Sequence, residues 1–148
     1  MNLIDALLGE HAVLYELFDL LETTDPSPGR PDPLPGVIAS LSRALLSHAH
    51  LEDEVLFPAL EARIGPMGPL AVMRAEHGEI EGALEEASRS EDAPRAIALA
   101  RSAVAAARQH FAKEEQVLFP MARRALGEEA LARLAERWAA MRKVVVCC

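Results

Sequence analysis

One phrase of eleven residues stands in this chain twice. His48-Ala-His-Leu-Glu52-Asp-Glu-Val-Leu-Phe-Pro58 returns as His110-Phe-Ala-Lys-Glu114-Glu-Gln-Val-Leu-Phe-Pro120. In each copy a glutamate follows the first histidine by four residues, and Leu-Phe-Pro closes the phrase. Glu10-His11 precedes the first copy and Glu76-His77 the second, at comparable distances. The chain must therefore fold into two matched halves. Together they contribute four histidines and two glutamates, a symmetric ligand set for two metal ions.

The apolar spacing places this repeat on helices. Leu3, Leu7, Leu14, Leu17, Phe18 and Leu21 recur at helical intervals and predict a helix from about Leu3 to Thr24. The proline-rich stretch Asp25 to Pro35 breaks the chain into a loop. A second helix is expected from Gly36 to Arg63, then a tight Gly65-Pro-Met-Gly-Pro69 connection with Pro69 opening the third helix, which runs to Arg89. Ser90-Glu-Asp-Ala-Pro94 reads as an N-cap cluster, and the fourth helix should end near Leu126, before Gly127. Glu128 to Lys143 reads as a shorter fifth helix carrying Trp138. No segment alternates as a strand does. The expected fold is all-α, an antiparallel up-down four-helix bundle, with residues 1–126 forming the bundle and residues 127–148 a C-terminal helix and tail of the same domain.

On a helix, residues four apart lie about 40° from each other around the axis, one turn along the same face. His48 with Glu52, and His110 with Glu114, can each aim an imidazole and a carboxylate inward. A carboxylate can bridge two ions, and two histidines per ion would leave coordination positions for oxygen or solvent. Imidazole and carboxylate suit iron or manganese better than a thiolate-preferring metal. A lone histidine on an apolar face is more often a hydrogen-bonded core residue, so the doubling carries the argument. His50 sits about 200° from His48 and is expected at the surface, with Glu54 and Glu115 off the ligand stripe. Glu115 remains an alternative to Glu114 if the helix is locally overwound. Glu10 and Glu76 could steady a ligand or stand as solvated charges, and the second is the expectation. Pro58 and Pro120 should kink both helices just past the site.

Composition narrows the function. A formal charge of −8 and a pI near 5.1 argue against nucleic acid or an anionic membrane as partner. No apolar run has the length of a membrane span. The segment after Met1 lacks the positive region and cleavage site of a signal peptide, so a cytoplasmic protein is expected, as a monomer or weak homodimer. Adjacent Cys147 and Cys148 cannot staple the fold and read as reduced thiols on a frayed tail, with a redox or soft-metal pair as the sharper alternative.

His11, His48-x-x-x-Glu52, His77 and His110-x-x-x-Glu114, with both Leu-Phe-Pro signatures, resemble the hemerythrin-like, or HHE cation-binding, family over nearly all of the chain to Leu126. The Glu-x-x-His spacing of ferritin-like bundles occurs nowhere. The resemblance implies a non-haem di-iron centre with both glutamates bridging, and manganese or zinc as substitutes. Oxygen-carrying hemerythrins have a fifth histidine four residues before the third-helix histidine, where this chain has Met73. Two histidines per ion favour reactive oxygen or peroxide chemistry over reversible storage. The expected role is binding or sensing of dioxygen, peroxide or nitric oxide, with peroxidase- or catalase-like turnover. The alternatives are a di-iron oxygenase or oxidase acting on a small organic substrate, and a non-catalytic iron-responsive partner domain. Tyr15, one turn after His11, could donate to a bound oxygen species or supply a phenolate, or be a core tyrosine satisfied at the rim.

Overall fold

The computed structural model describes residues 1–25 and 32–145, so Cys147, Cys148 and part of the proline-rich loop lie outside the described residues. The described residues form helices and connecting turns, with no strand among them. Helix α1 (Leu3–Thr23) opens on a reciprocal cap: Asn2 Oδ1 accepts from the Asp5 amide at 3.1 Å, and Asp5 Oδ2 accepts from the Asn2 amide at 3.0 Å. Helix α2 (Leu34–Leu51) starts earlier than the expected Gly36 and takes Pro35 into its first turn, where no amide hydrogen is needed. Short α3 (Phe57–Ile64) continues the same rod. Gly65 and Gly68, at φ 82° and 73°, carry the turn into α4 (Pro69–Arg89). Helix α5 (Ala93–Lys113) is capped by Asp92, whose Oδ1 accepts from the Arg95 amide at 3.2 Å. The last helix, α6 (Phe119–Arg142), kinks at Gly127, which has φ 75° and ψ 163°. The helical path thus breaks where the sequence places the end of the fourth helix, and residues from Glu128 resume it to Arg142.

The two long rods that carry the repeat are not α-helical throughout. Each switches to a five-residue π-helical turn, Glu52–Leu56 and Glu114–Leu118. The Phe57 amide donates to Glu52 O and the Phe119 amide to Glu114 O, five residues back. The physical reason lies one residue further on. Pro58 and Pro120 have no amide hydrogen, so the α ladder loses a bond there, and the wider turn takes up the change of register before α3 and α6 begin. The carbonyl of Glu54, which Pro58 cannot serve, accepts from Arg137 Nη2 at 3.2 Å. Each π turn begins at a candidate ligand glutamate.

The helices pack as a bundle: α4 on α5, α1 on α2 and α6, α2 on α4, and α3 on α6. The core divides into two apolar layers. One includes Leu14, Phe18, Leu41, Leu84, Val104 and Phe111; the other includes Leu3, Leu7, Leu56, Phe57, Met73 and Phe119. All four phenylalanines are fully buried, each worth about 1.5–3 kcal/mol relative to exposure. Between the layers run the polar residues.

Candidate metal centre

His11, His48, Glu52, His77, His110 and Glu114 are all buried, none more than 8% exposed. They come together as two groups that share both carboxylates. His11, His48, Glu52 and Glu114 offer ligand atoms within 4.8 Å of one another, and so do Glu52, His77, His110 and Glu114. Helix α1 supplies His11, α2 supplies His48, α4 supplies His77 and α5 supplies His110; each glutamate opens a π turn. The two groups are related as the sequence repeat is.

Every histidine in the set turns its Nδ1 to a carboxylate outside it. His48 meets Glu10 at 2.8 Å, His110 meets Glu76 at 2.8 Å, His11 meets Glu115 at 2.8 Å and His77 meets Asp53 at 3.3 Å. An Nδ1–H donated outward fixes the tautomer and leaves the Nε2 lone pair facing inward, the orientation a metal requires. Glu10 and Glu76 are therefore not simply solvated charges. Each reaches across to the neighbouring helix and orients its histidine, an arrangement that helical spacing on a single element cannot reveal. Glu115 does not replace Glu114; it serves His11 and also accepts from Tyr15 Oη at 3.2 Å. The tyrosine hydroxyl is thereby satisfied at this outer carboxylate. Asp53 went unrecognised in the sequence, although a signal exists: an acidic residue directly follows the candidate glutamate in both copies. His50 is a surface residue, 64% exposed beside Glu54.

The inner atoms fit cations and little else. All four carboxylate oxygens of Glu52 and Glu114 are buried without a hydrogen-bond partner, as is His110 Nε2. Nearby Nε2 atoms stand 3.1–3.5 Å from these oxygens, at ion-pair range but without hydrogen-bond geometry. His11 Nε2 and His48 Nε2 face each other at 3.1 Å while both Nδ1 atoms are engaged outward. Two lone pairs so placed repel unless a proton or a metal ion lies between them. Leaving carboxylates buried and unpaired costs several kcal/mol each, which a bound cation offsets.

Protons stand in when no metal is bound. Burial opposes a charge on His110, but the Glu114 carboxylate 3.1 Å from its Nε2 outweighs it and lifts the imidazole to about 9. Burial and the nearby Glu114 charge push Glu52 up. Burial would also raise Glu10, yet hydrogen bonds from Arg142, His48 and Trp138 hold it at about 2. The sign of the pH dependence follows. His110 is raised above its ordinary 6.5, so its contribution to the metal-free fold is complete below 6.5 and lost as pH rises through about 9. Metal must displace that proton. Metal affinity should accordingly rise with pH up to about 9, and titration calorimetry near neutral pH, in buffers of different ionisation enthalpy, should register net proton release on metal binding. Zero release would contradict this electrostatic picture.

Aromatic rings brace the histidines. Phe111 stacks on His11 at 3.8 Å between centroids and 5° between planes, and Phe57 stacks on His77 at 5.4 Å and 16°. Phe111 has Ala49 as its counterpart in the first copy of the phrase. A cavity of about 10 Å³ borders Ala49, His48, His77, His110, Ile80 and Phe111.

A helical bundle that gathers buried histidines and carboxylates into two adjoining groups defines a class of cation-binding domain. The family model for the hemerythrin HHE cation binding domain matches residues 2–122, and the chain belongs to that family. Comparison with curated proteins finds no match, and comparison with solved structures finds none. No helix among the described residues is long and apolar enough to cross a membrane.

Proposed function

We propose that this chain is a non-haem di-iron protein that binds or senses dioxygen, peroxide or nitric oxide, with peroxidase- or catalase-like turnover. The observation that carries the reading is the pair of buried carboxylates, Glu52 and Glu114, shared between two histidine pairs with no hydrogen-bond partner on any oxygen. In this reading His11 and His48 would hold one ion, His77 and His110 the other, and the carboxylates of Glu52 and Glu114 would serve both. Bound iron would supply the redox chemistry and open positions for a small ligand. Glu10, Asp53, Glu76 and Glu115 hold the imidazoles in place, and the apolar layers limit access of water. The antiparallel up-down order of the bundle belongs to the same reading.

The cavity beside His77 and His110 supports a small ligand. At about 10 Å³ it has room for roughly one water-sized molecule and is walled mainly by apolar side chains. That leaves no room for an organic substrate beside His77 and His110, whereas a groove of about 560 Å³ lies against Glu10, His48, Trp138 and Arg142. The test is metal analysis together with the optical spectrum of anaerobically reduced protein, before and after air, peroxide and nitric oxide. Two irons per chain and a spectral response to one of these support the reading; a chain that takes up no metal overturns it.

Met73 is buried in the apolar layer that also contains Leu70 and Leu118, one helical turn before His77. Replacing Met73 by His should add a hard ligand to the His77–His110 half and shift oxidation by air toward reversible oxygen binding. An unchanged spectrum and unchanged rate of autoxidation would refute this role for the position.

A further inference from the structure

Past residue 122, where the family match ends, α6 returns two side chains to the centre. Trp138 Nε1 donates to Glu10 Oε1 at 2.6 Å. Arg142 forks across the same carboxylate, Nε to Oε1 at 2.6 Å and Nη2 to Oε2 at 2.8 Å. Arg142 is itself braced by Ser47, the residue before His48: Nη1 donates to Ser47 Oγ at 2.7 Å and Nη2 to the Ser47 carbonyl at 3.2 Å. With His48 Nδ1 on Oε2, both Glu10 oxygens are filled and the carboxylate has one orientation.

The repeat counterpart is held differently. Glu76 accepts from His110 Nδ1 and from the Lys113 ammonium. Lys113 is a flexible point charge, its side chain 49% exposed, whereas the Arg142 side chain is 21% exposed and its planar fork matches a carboxylate. Two halves that are equivalent in their inner residues thus differ in what fixes their outer ones.

We propose that Trp138 and Arg142 are positioning residues that make the His11–His48 half the firmer of the two metal sites, so that it fills first. The inference rests on the two-ion reading above and adds an order to it. Preorganisation is the cause: a histidine whose partner cannot move loses less freedom when it ligates.

Anaerobic titration of the metal-free protein with cobalt(II), followed by visible absorbance, should show two steps of unequal affinity. Trp138→Phe and Arg142→Gln should each weaken the tighter step about 10–100-fold, the range typical of partners that orient metal-bound histidines. The weaker step should move by less than about threefold, within ordinary surface-substitution effects. Arg142→Lys, which keeps the charge but not the fork, should fall between. A second readout is independent of affinity. In the cobalt-loaded protein, proton NMR shows shifted, exchangeable ring N–H signals from ligating histidines, and Arg142→Gln should hasten solvent exchange for one of them. Equal weakening of both steps alongside a lower melting temperature would make the two residues general stabilisers and overturn the proposal. Wild-type affinities in the variants would overturn it as well. Failure of the wild-type protein to take a second ion would instead bring down the two-ion reading, before any variant is compared.

Discussion

Replacing Glu52 and Glu114 together by Gln is expected to abolish loading of two metals and to leave a metal-free protein that is more stable than the parent. Both carboxylates are 0% exposed, and none of their oxygens has a hydrogen-bond partner. Without metal they are a burden: one is pushed toward its protonated form, and the other stays ionised only through neighbouring imidazolium groups. An amide keeps the shape and removes the charge. Replacing buried ionised clusters by apolar groups is commonly neutral or stabilising by about 1–4 kcal/mol. The amides still need partners and the attraction between Glu114 and His110 is lost, so a gain at the low end of that range is expected here. Metal binding responds the other way, because a neutral amide oxygen is a much weaker ligand for a cation than a carboxylate. His48→Ala and His110→Ala should each reduce loading too, since each removes one Nε2 from one half. The checks are elemental analysis of purified protein and urea unfolding of the metal-free forms. Two ions per chain in the double glutamine variant would eliminate the ligand assignment, whatever the stability.

Phe111→Ala should be the most damaging single substitution in the apolar core. Its ring is 1% exposed, stacks on His11 at 3.8 Å, lies 5.6 Å from Phe18 and 5.4 Å from His48, and belongs to the apolar layer on one side of the centre. Removing a buried phenyl ring typically costs about 3–5 kcal/mol, because the surroundings do not close over the space. For a chain of this length that is a fall of roughly 10–20 °C in melting temperature. The same substitution unseats His11, so the His11–His48 half should lose metal affinity as well. Thermal unfolding of metal-free and loaded protein measures both effects. A loss below about 1 kcal/mol would mean that neighbouring side chains collapse into the space, contrary to close packing around a braced ring.

Some of this architecture is legible in one dimension. The i, i+4 spacing of His48 with Glu52 and of His110 with Glu114 is a local property of helices, and doubling made it specific. The four residues so spaced, with His11 and His77 from the paired Glu-His steps, are the six that the fold gathers between two apolar layers. The helix starts at Pro69 and near Asp92 were equally local, set by proline and by a capping carboxylate. The π turns were half legible. Pro58 and Pro120 announced a disturbance, but whether a helix meets a missing amide by kinking or by widening depends on what it packs against.

What the sequence by itself determined is therefore the helical periodicity, the twofold repeat and the inner set of histidines and glutamates, because periodicity and the i, i+4 pairs are local to a helix and the repeat can be read directly along the chain. The tertiary structure alone decided which carboxylate serves which histidine. Glu115 reaches His11 across 104 positions of chain, Glu10 reaches His48 across 38, and Arg142 reaches Glu10 across 132. Such pairs depend on how helices dock, and docking is set by the burial of whole apolar faces rather than by any local spacing. That is why a repeat symmetric in its inner ligands is asymmetric around them, with an arginine fork on Glu10 and a lone lysine on Glu76.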